Sequence, residues 1–429
     1  MKNKVVVNSS FKDIKNFINI PSLRKGVIEE APNSPINANY AVNSTANFLH
    51  PSIQYLIVKS VVDISRDTKA YILGPDASLG TAKLAYFRPG QFINVTLEIG
   101  HAVVTRPYTL CSSPLRSLDD EYVILVKKDS NGFVSPFIHN TWVKGTKVKA
   151  SAPFGNLFYQ PLRDSKNIVG LTDEYGISSF LSMAEAISDG TLDIDLTLFY
   201  SARKKNEAIM MDRLNELASA NNKFRVIYVL SDERADKCER GFITKTLIEK
   251  YVSATRYSVF VNGSTPLYNR VTPQIAELKL EQKYIRYGLS GQIKNPASLP
   301  DFPNDAVGKT FLCKVIKDGE TLGKIPCSAE ETLLVALERE GIAVQSVCRS
   351  GECGFCRSKL TSGNVFIPKD VDSRRLADSS FGIIHPCCSY PMSNLTLIIN
   401  QRKNRTKTLL LRIVTREFYL FHIYFKLIS

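Results

Sequence analysis

Three cysteines lie within nine residues of the chain, and this spacing constrains the fold more than any other feature. Cys348, Cys353 and Cys356 are separated by four and by two residues, and Cys387 follows after thirty more. A loop this short cannot send three thiols to three separate places, so their sulfurs must converge on one centre. The spacing therefore predicts a metal-binding loop.

Whether clustered thiols bind metal or form disulfides depends on the redox state of the compartment in which the protein is found. The first residues, MKNKVVVNSSFKD, hold only a three-residue apolar run, so we expect no secretory signal and a cytoplasmic location, where metal binding is favoured. Gly351 and Gly354 permit backbone angles that turn N–H groups towards the sulfurs. Structural zinc is the alternative, although it usually uses paired C-x2-C knuckles. Four other cysteines lack such spacing and are interpreted as ordinary residues: Cys111, Cys238, Cys313 and Cys327.

Length and charge exclude two classes of protein. At 429 residues the chain predicts two to four domains, which argues against a single binding module. The net charge of +14 suggests a polyanion partner, but residues 401–429 alone hold seven basic side chains and one acidic side chain. We therefore predict no nucleic-acid partner. No window offers about 18 uncharged apolar residues, so we also predict no membrane span.

Two different patterns of apolar residues follow the N-terminal stretch. Short β-branched runs such as YLIVKSVVDI, QFINVTLEI and EYVILVKK predict an antiparallel barrel or sandwich. From about residue 167, buried-strand runs such as NIVGL, DLTLFYSA and FRVIYVLS alternate with helix-like stretches. This alternation predicts a parallel α/β domain with crossover helices.

A third unit begins near residue 309. Asp318 and Gly319 form a hairpin signal between two short strands, and Ser328 and Glu331 have capping-box spacing before a helix that Gly341 can end. Two strands, one helix and a cysteine loop predict a small α+β domain.

A short motif at the end of the β-rich region suits a flavin. Such a cofactor needs a cation for its phosphate, an aromatic face for its ring and a hydroxyl near the ring edge, and Arg106, Tyr108 and Thr109 supply these within four residues. On an extended strand Arg106 and Tyr108 project from the same face. An ordinary barrel without flavin is the alternative.

The motifs resemble known families. The cysteine spacing and the segment CCSYPMSNLT resemble plant-type [2Fe-2S] ferredoxins, which implies that Cys348, Cys353, Cys356 and Cys387 are the ligands and that Cys388 is not. R-P-Y-T resembles the R-x-Y-S/T element of the ferredoxin–NADP reductase superfamily. G-F-V-S resembles the second element of that family, which implies phosphate binding by Gly132 and Ser135.

The domain order is similar to that of phthalate-dioxygenase-reductase-like proteins. The expected architecture is multidomain: an antiparallel β-barrel, an α/β domain with a parallel sheet and an α+β domain of β-grasp type. The expected segments are an N-terminal extension and linker (1–50), a flavin-binding barrel (51–160), an NAD(P)-binding-like domain (161–288), a linker (289–308), a ferredoxin domain (309–400) and a basic hydrophobic tail (401–429).

The α/β domain carries further elements of the superfamily. The resemblance implies nucleotide contacts from the first strand-to-helix turn, from the FYSAR strand end and from the NGS loop: Gly176, Ile177, Ser178, Ser201, Arg203 and Gly263. Arg203 is equally well interpreted as part of a solvated basic turn.

Two features of the α/β domain depart from the superfamily pattern. Asp173 and Glu174 replace two of the usual glycines, and Asn262 replaces the usual cysteine. A carboxylate beside a phosphate costs on the order of 1–4 kcal/mol at intermediate dielectric. The two carboxylates therefore predict weakened nucleotide binding, whereas Asn262 still offers hydrogen bonds.

The resemblance implies an NAD(P)H-dependent oxidoreductase. NADH or NADPH would reduce FAD, with FMN as the other possible flavin, and a [2Fe-2S] cluster would pass single electrons to a redox partner protein or an oxygenase-type acceptor. No catalytic acid or nucleophile is expected. The second hypothesis is an electron-transfer subunit with a degenerate nucleotide site, and the third is a cofactor-binding sensor or scaffold.

The tail 401–429 leaves two interpretations open. Its apolar, aromatic and basic residues suit contact with an anionic membrane or a partner. Packing on the protein body, or a non-native extension, is favoured because Arg412, Arg416 and Glu417 interrupt any apolar face.

Overall fold

The computed structural model divides the chain into two compact units, Met1–Phe48 and Leu49–Ser429. It describes residues 10–31, 40–130, 132–289, 291–293 and 295–399. The tail at 401–429, with its membrane or partner contact, lies outside the described residues. Within the described ranges, no helix is both long enough and apolar enough to cross a membrane.

The N-terminal unit contains helix α1 (Phe11–Glu29), and helix α2 (Ala41–Leu49) follows. A capping box begins α1, in which the Asp13 N–H donates to Ser10 Oγ and the Ser10 N–H donates to Asp13 Oδ2. The sequence patterns predicted an extension and linker here and indicated neither helix. Pro21 inside α1 and the Asn- and Ser-rich composition of α2 are poor helix signals, which explains the miss.

The first domain of the larger unit is a curled antiparallel sheet in the order β4-β3-β6-β1-β2-β5. A bridge between Leu110, just beyond β4, and Ile124 of β5 brings the two ends together. Alternating side chains fill its interior, and helix α3 packs its Val134 and Ile138 into the same core. The elements are β1 (Gln54–Asp63), β2 (Thr68–Pro75), β3 (Phe92–Ile99), β4 (Ala102–Thr109), β5 (Tyr122–Lys127), α3 (Val134–Thr141) and β6 (Lys147–Ala150).

The second domain is a parallel sheet in the order β10-β9-β8-β7-β11-β12. The chain starts in the middle with β7 and adds strands first on one side and then on the other. This reversal of strand order forms a ligand crevice at the carboxyl ends of the central strands. The elements are β7 (Asn167–Thr172), α4 (Ile177–Ser188), β8 (Asp195–Ala202), α5 (Met211–Ala220), β9 (Phe224–Leu230), β10 (Cys238–Arg240), α6 (Lys245–Tyr251), β11 (Ser258–Asn262), α7 (Thr265–Glu277) and β12 (Ile285–Tyr287).

A buried ion pair ties the start of this domain to its last strand. Arg286 of β12 forms a bidentate contact with Asp164, its Nε lying 2.9 Å from Oδ1. Both side chains are buried, and the Gln160 N–H donates a further bond to Asp164. A buried charge needs such partners, so the pair fixes the segment that leads into the sheet.

The third domain contains a five-stranded mixed sheet in the order β14-β13-β19-β15-β17. Asp318 and Gly319 both have positive φ, 53° and 93°, so the predicted tight turn joins β13 to β14. The elements are β13 (Thr310–Lys317), β14 (Glu320–Ser328), α8 (Leu333–Arg339), β15 (Ser358–Ser362), β16 (Val365–Phe366), α9 (Leu376–Ser380), β17 (Ile383–Ile384), β18 (Tyr390–Pro391) and β19 (Leu395–Ile399).

Helix α8 begins later than the capping-box spacing indicates. Thr332 is its N-cap and accepts from the Val335 N–H, while Glu331 accepts the Ser328 N–H in the turn before the helix. Ser328 belongs to β14, and its backbone is therefore already extended. Gly341, with φ of 69°, follows the end of the helix as predicted.

Candidate functional site

The four predicted cluster ligands converge at one end of the third domain. The sulfurs of Cys356 and Cys387 lie 3.4 Å apart, although the two residues are thirty-one positions apart in sequence. Cys348 hydrogen-bonds with Cys353 and interacts with Cys387, and hydrogen bonding to Cys348 raises the pKa of the Cys353 thiol, with burial adding to the rise. Cys348, Cys356 and Cys387 are buried, whereas Cys353 is exposed. One exposed and three buried thiols suit a centre at the edge of the protein.

The backbone of the loop supports this convergence. The N–H groups of Ser350 and Cys353 donate to the Cys348 sulfur at 3.5 and 3.3 Å. Gly351 and Gly354 have φ of 82° and 67°, and a Cβ on Gly351 would lie 2.2 Å from the Val371 carbonyl oxygen. N–H groups aimed at sulfur favour thiolate ligands, so the donor set fits an iron–sulfur cluster.

Cys388 lies beside this centre but is engaged differently. Its thiol donates to the His385 carbonyl oxygen at 3.5 Å. Cys388 also hydrogen-bonds with Cys387. The choice of Cys387 rather than Cys388 as the fourth ligand therefore stays a prediction from the resemblance to plant-type ferredoxins.

The predicted flavin motif lies on β4. Arg106 and Tyr108 alternate along this strand, and Thr109 is its last residue. Tyr108 packs against the core that also contains Val134 and Ile138 of α3. Burial raises the pKa of the Tyr108 hydroxyl, and the Arg106 charge opposes that rise. The cation and the aromatic ring therefore lie next to each other, as a flavin site requires.

The second predicted flavin element lies at the start of α3. The Asp129 N–H donates to Ser135 Oγ at 2.9 Å, and a Cβ on Gly132 would lie 3.1 Å from Asp129. The N-cap residue Phe133 makes no side-chain capping bond. Phe133 therefore offers no capping oxygen to the first N–H groups of α3, which fits the predicted phosphate site.

The cysteine loop packs directly on the flavin strand. Ser346, two residues before Cys348, bonds through its hydroxyl to that of Thr105, and its carbonyl oxygen accepts from Asn94 Nδ2 at 3.2 Å. An edge-to-face contact of 5.8 Å joins the rings of Phe154 and Phe355. The predicted metal ligands and the predicted flavin residues thus belong to adjoining surfaces.

The predicted nucleotide residues meet at the carboxyl edge of the parallel sheet. Gly176 precedes α4, and a Cβ there would lie 1.8 Å from the Asn262 carbonyl oxygen. A Cβ on Gly263 would lie 2.7 Å from Asp173 Oδ1. The two turns therefore need glycine to approach each other. Gly176 gives α4 no side-chain cap, and Ile177 and Ser178 form its buried first turn.

Asn262 holds the two turns together through its side chain. Its Nδ2 donates to Ser179 Oγ at 2.7 Å and contacts the Gly176 carbonyl oxygen at 3.4 Å. Asn262, which replaces the usual cysteine, therefore stabilises the contact between the two turns.

The Asp173 carboxylate accepts hydrogen bonds from several donors at the carboxyl edge of the parallel sheet. Its Oδ1 accepts the Tyr175 N–H at 3.0 Å, and its Oδ2 accepts the Ser264 N–H at 3.0 Å and the Ser264 hydroxyl. The carboxylate is buried and connects the first turn to the N-terminus of α7. A fixed anion thus stands where the superfamily pattern has glycine.

Glu174 faces the flavin domain. Its Oε1 lies 3.6 Å from Lys127 Nζ at the end of β5, and Lys127 also lies 5.4 Å from the Tyr175 ring centroid. Burial raises the pKa of the Glu174 carboxyl, Asp173 adds to the rise and Lys127 opposes it. Lys127 therefore offsets part of the negative charge at this turn.

Ser201 and Arg203 lie at the end of β8, beside the first turn. Ser201 is partly buried within the strand. Arg203 lies just beyond the strand, is exposed, and its Nε lies 3.0 Å from Asp232 Oδ2. The structure therefore places Ser201 at the crevice and shows Arg203 in a surface ion pair.

Several residues at this site were missed by the sequence analysis. The burial of Glu338 could have been predicted from helix periodicity, because Glu338 lies four positions after Leu334 and so on the same face of α8. The others contact distant segments of the chain, which no local pattern reports: Asn94, Thr105, Lys127, Ser264, Ser346 and Arg349.

Three family models match in the predicted order. Residues 55–159 match the oxidoreductase FAD-binding domain, 175–272 match the oxidoreductase NAD-binding domain and 316–392 match the 2Fe-2S iron-sulfur cluster binding domain. These matches confirm FAD, a [2Fe-2S] cluster and NAD(P)H as the cofactors and electron donor, and they identify the chain as an oxidoreductase.

Proteins of known function match across the same three domains. The glycine betaine monooxygenase reductase subunit of Chromohalobacter salexigens is 26% identical over 333 residues, which cover 73% of this chain and 88% of the relative. The ferredoxin reductase component of 3-ketosteroid-9-alpha-monooxygenase from Rhodococcus rhodochrous is 24% identical, with coverage of 79% and 94%.

The fold is also that of a solved structure. Phthalate dioxygenase reductase, described as modular and as transferring electrons from pyridine nucleotides to [2Fe-2S], matches with a TM-score of 0.60 and 23% identity over 81% of this chain and 98% of its own. The chain therefore carries an FAD-binding, an NAD-binding and a C-terminal 2Fe-2S domain, in the domain order and with the fold of phthalate dioxygenase reductase.

Proposed function

We propose that this protein takes electrons from NADH or NADPH and delivers them, through FAD and a [2Fe-2S] cluster, to an oxygenase component. One observation carries the proposal: the cysteine loop packs on the strand that bears the flavin motif. Ser346 and Arg349 of the loop both contact Thr105, which directly precedes Arg106. A cluster held by the loop and a flavin held by the strand would therefore lie on adjoining segments, as electron exchange between them requires.

The cofactors supply the redox chemistry, since FAD accepts two electrons from a nicotinamide as hydride and the cluster carries one at a time. The protein positions them. Cys348, Cys353, Cys356 and Cys387 would hold the cluster, with the Ser350 and Cys353 N–H groups near its first ligand. Exposed Cys353 marks the side from which an electron can leave for a partner.

The flavin domain would bind its cofactor from two sides. Arg106 offers a cation for the phosphates, and a quarter of its side chain, 25%, remains exposed for that contact. The N-terminus of α3 offers N–H groups that its N-cap residue, Phe133, does not cap. Tyr108 would offer an aromatic face to the flavin ring, and Thr109 would offer a hydroxyl to the ring edge.

The nucleotide would enter at the carboxyl edge of the parallel sheet. The N-terminus of α4 provides N–H groups at Ile177 and Ser178, where such domains receive pyrophosphate. Asp173 and Glu174 lie at the same turn, so we infer that binding is weaker than an all-glycine turn would allow. Lys127 limits that penalty by its contact with Glu174.

The acceptor is inferred from chemistry and from the named relatives. Two of these relatives are reductase components of monooxygenases, and this chain spans most of their length. We place the protein in the cytoplasm because clustered cysteines with metal-ligand spacing are expected in a reducing compartment.

An anaerobic titration tests this function against its rival. Purified protein is mixed with NADH, with NADPH or with dithionite while the flavin absorbance is followed. We expect one of the nucleotides to bleach the flavin. If dithionite bleaches both centres and neither nucleotide does, the protein is an electron-transfer subunit that exchanges electrons with a partner protein instead.

Nucleotide affinity is expected to fall as pH rises. Burial raises the pKa of Glu174 above its ordinary 4.5, so the carboxyl loses its proton at higher pH than an exposed glutamate does and becomes an anion beside the phosphates as pH increases through that raised pKa. The dissociation constant of NAD⁺, measured by calorimetry between pH about 5 and about 8, should therefore increase. Glu174→Gln should flatten this dependence, and an unchanged slope in that variant would exclude Glu174 as its source.

A further inference from the structure

A buried carboxylate joins the ferredoxin domain to the flavin strand. Glu338 of α8 is only 3% exposed, and its two oxygens bind two arginines from different domains. Oε1 lies 2.6 Å from Nη1 of Arg349 in the cysteine loop, and Oε2 lies 3.2 Å from Nη1 of Arg106 in the flavin motif. No cofactor is needed to form this cluster of three charges.

The same cluster covers an open sheet edge. β4 is the edge strand of its sheet, and within a strand the N–H and C=O of one residue point to the same side. The Thr105 N–H donates to Glu338 Oε1 at 3.3 Å, and the Thr105 C=O accepts from Arg349 Nη1 at 3.3 Å and from Arg106 Nη1 at 2.7 Å. An ion pair thus takes the place of a neighbouring strand.

Electrostatics make Glu338 the central member. Burial lowers the pKa of Arg106, nearby Arg349 lowers it further, and Glu338 raises it. Two guanidinium groups repel each other in a buried place, so they stay together only because a carboxylate lies between them. Without that negative charge, the cysteine loop and the flavin strand would separate or admit water.

Each arginine is next to a cofactor-binding residue. Arg349 directly follows Cys348, and Arg106 belongs to the flavin motif itself. We propose that Glu338 is a positioning residue that fixes the distance between the flavin and the [2Fe-2S] cluster, and so sets the rate of electron transfer between them. This inference rests on the proposed function for its electron route, but the contacts that carry it are independent of any electron donor.

The isosteric variant Glu338→Gln removes the charge while keeping the side-chain shape. We expect electron transfer from reduced flavin to the cluster, followed by stopped-flow absorbance, to slow about tenfold, since a misplacement of about 1 Å can cost up to about 100-fold. Flavin reduction by nucleotide should slow less than this transfer step, because the contacts of Glu338 are with Thr105, Arg106 and Arg349 and not with the predicted nucleotide residues. The Thr105 amide should exchange with deuterium faster.

Glu340→Gln is the matched control. Glu340 follows α8, is exposed and pairs with exposed Arg339 at 2.8 Å. The Glu340→Gln variant loses the same charge at the same end of α8. It should nevertheless leave the rate of electron transfer and the deuterium exchange of the Thr105 amide unchanged. A slowdown of equal size in Glu340→Gln would assign the effect to net charge and overturn the positioning role.

Glu338→Asp provides the second variant in case Glu338→Gln loses a cofactor. It keeps the charge but is one methylene shorter, so it cannot reach both Arg106 and Arg349. Both centres should be retained while transfer slows by a smaller factor. Wild-type transfer and wild-type Thr105 exchange in either cofactor-loaded variant would overturn the proposal.

The test separates failure of this proposal from failure of the proposed function. If no nucleotide reduces the wild-type flavin, the flavin is reduced by light with EDTA as donor and the step to the cluster is measured alone. Deuterium exchange at Thr105 needs no electrons. A slowed step after photoreduction supports Glu338 even where nucleotide use fails.

Discussion

A Cys387→Ser variant is expected to lose its iron–sulfur cluster and keep its flavin. The Cys387 sulfur lies 3.4 Å from that of Cys356, and the resemblance to plant-type ferredoxins makes it the proposed fourth ligand. Iron and acid-labile sulfide should fall from about two of each per chain to near zero. The flavin residues lie in another domain and do not contact Cys387, so flavin content should persist. Metal analysis and the visible spectrum measure both.

Cys388→Ser is the control that makes this result specific. The neighbouring thiol donates to the His385 carbonyl oxygen, and a serine hydroxyl can make the same donation. We therefore expect wild-type iron and sulfide content in this variant. Retention of the cluster in Cys387→Ser together with its loss in Cys388→Ser would reverse the ligand assignment.

An Asp173→Asn variant is expected to bind NADH about tenfold more tightly. Removal of a carboxylate charge near a phosphate recovers about 1–4 kcal/mol at intermediate dielectric, and about 1.4 kcal/mol corresponds to tenfold. Asn keeps an acceptor for the Tyr175 N–H or the Ser264 N–H, so the turn should survive. Asp173→Gly would remove those bonds as well and lower the free energy of unfolding by about 1–3 kcal/mol.

The double variant Asp173→Asn with Glu174→Gln should bind NADH about 100-fold more tightly than wild type, since two charges are removed. Asp195→Asn is the control, because Asp195 is exposed at the start of β8, on the opposite edge of the sheet. Isothermal calorimetry at fixed salt measures all four proteins. Unchanged affinity in the double variant would mean that the phosphates bind away from this turn.

Local sequence patterns predicted most of the fold. The β-branched runs became β1, β2, β3, β5 and β6, and the buried runs became the central strands of the parallel sheet, because burial on one or both faces leaves a clear periodicity. The N-terminal helices were missed because their composition resembles a linker and Pro21 lies inside α1. Strand order was beyond a sequence argument, since pairing joins segments far apart in the chain.

The candidate site shows the same difference between features with a local sequence pattern and features that depend on distant contacts. Cys348, Cys353 and Cys356 and the candidate flavin residues could be named from the sequence because each motif occupies a few consecutive positions, whereas Cys387 rests on the resemblance to plant-type ferredoxins. Asp173 was identified as a departure, but its bonds to Ser264 could not be predicted across 91 positions. Arg106 was predicted only as a phosphate cation, whereas the structure also pairs it with Glu338, 232 positions away. Residues that connect domains leave no periodic signal, and only the folded structure identifies them.

Rapid-freeze electron paramagnetic resonance tests the electron route most directly. The protein is mixed anaerobically with the nucleotide that reduces it, and samples are frozen at increasing times while flavin absorbance is recorded in parallel. We predict that flavin bleaching comes first and that the signal of the reduced [2Fe-2S] cluster then grows at the expense of reduced flavin. A cluster that stays oxidised beside fully reduced flavin, yet is reduced by dithionite, would contradict the account.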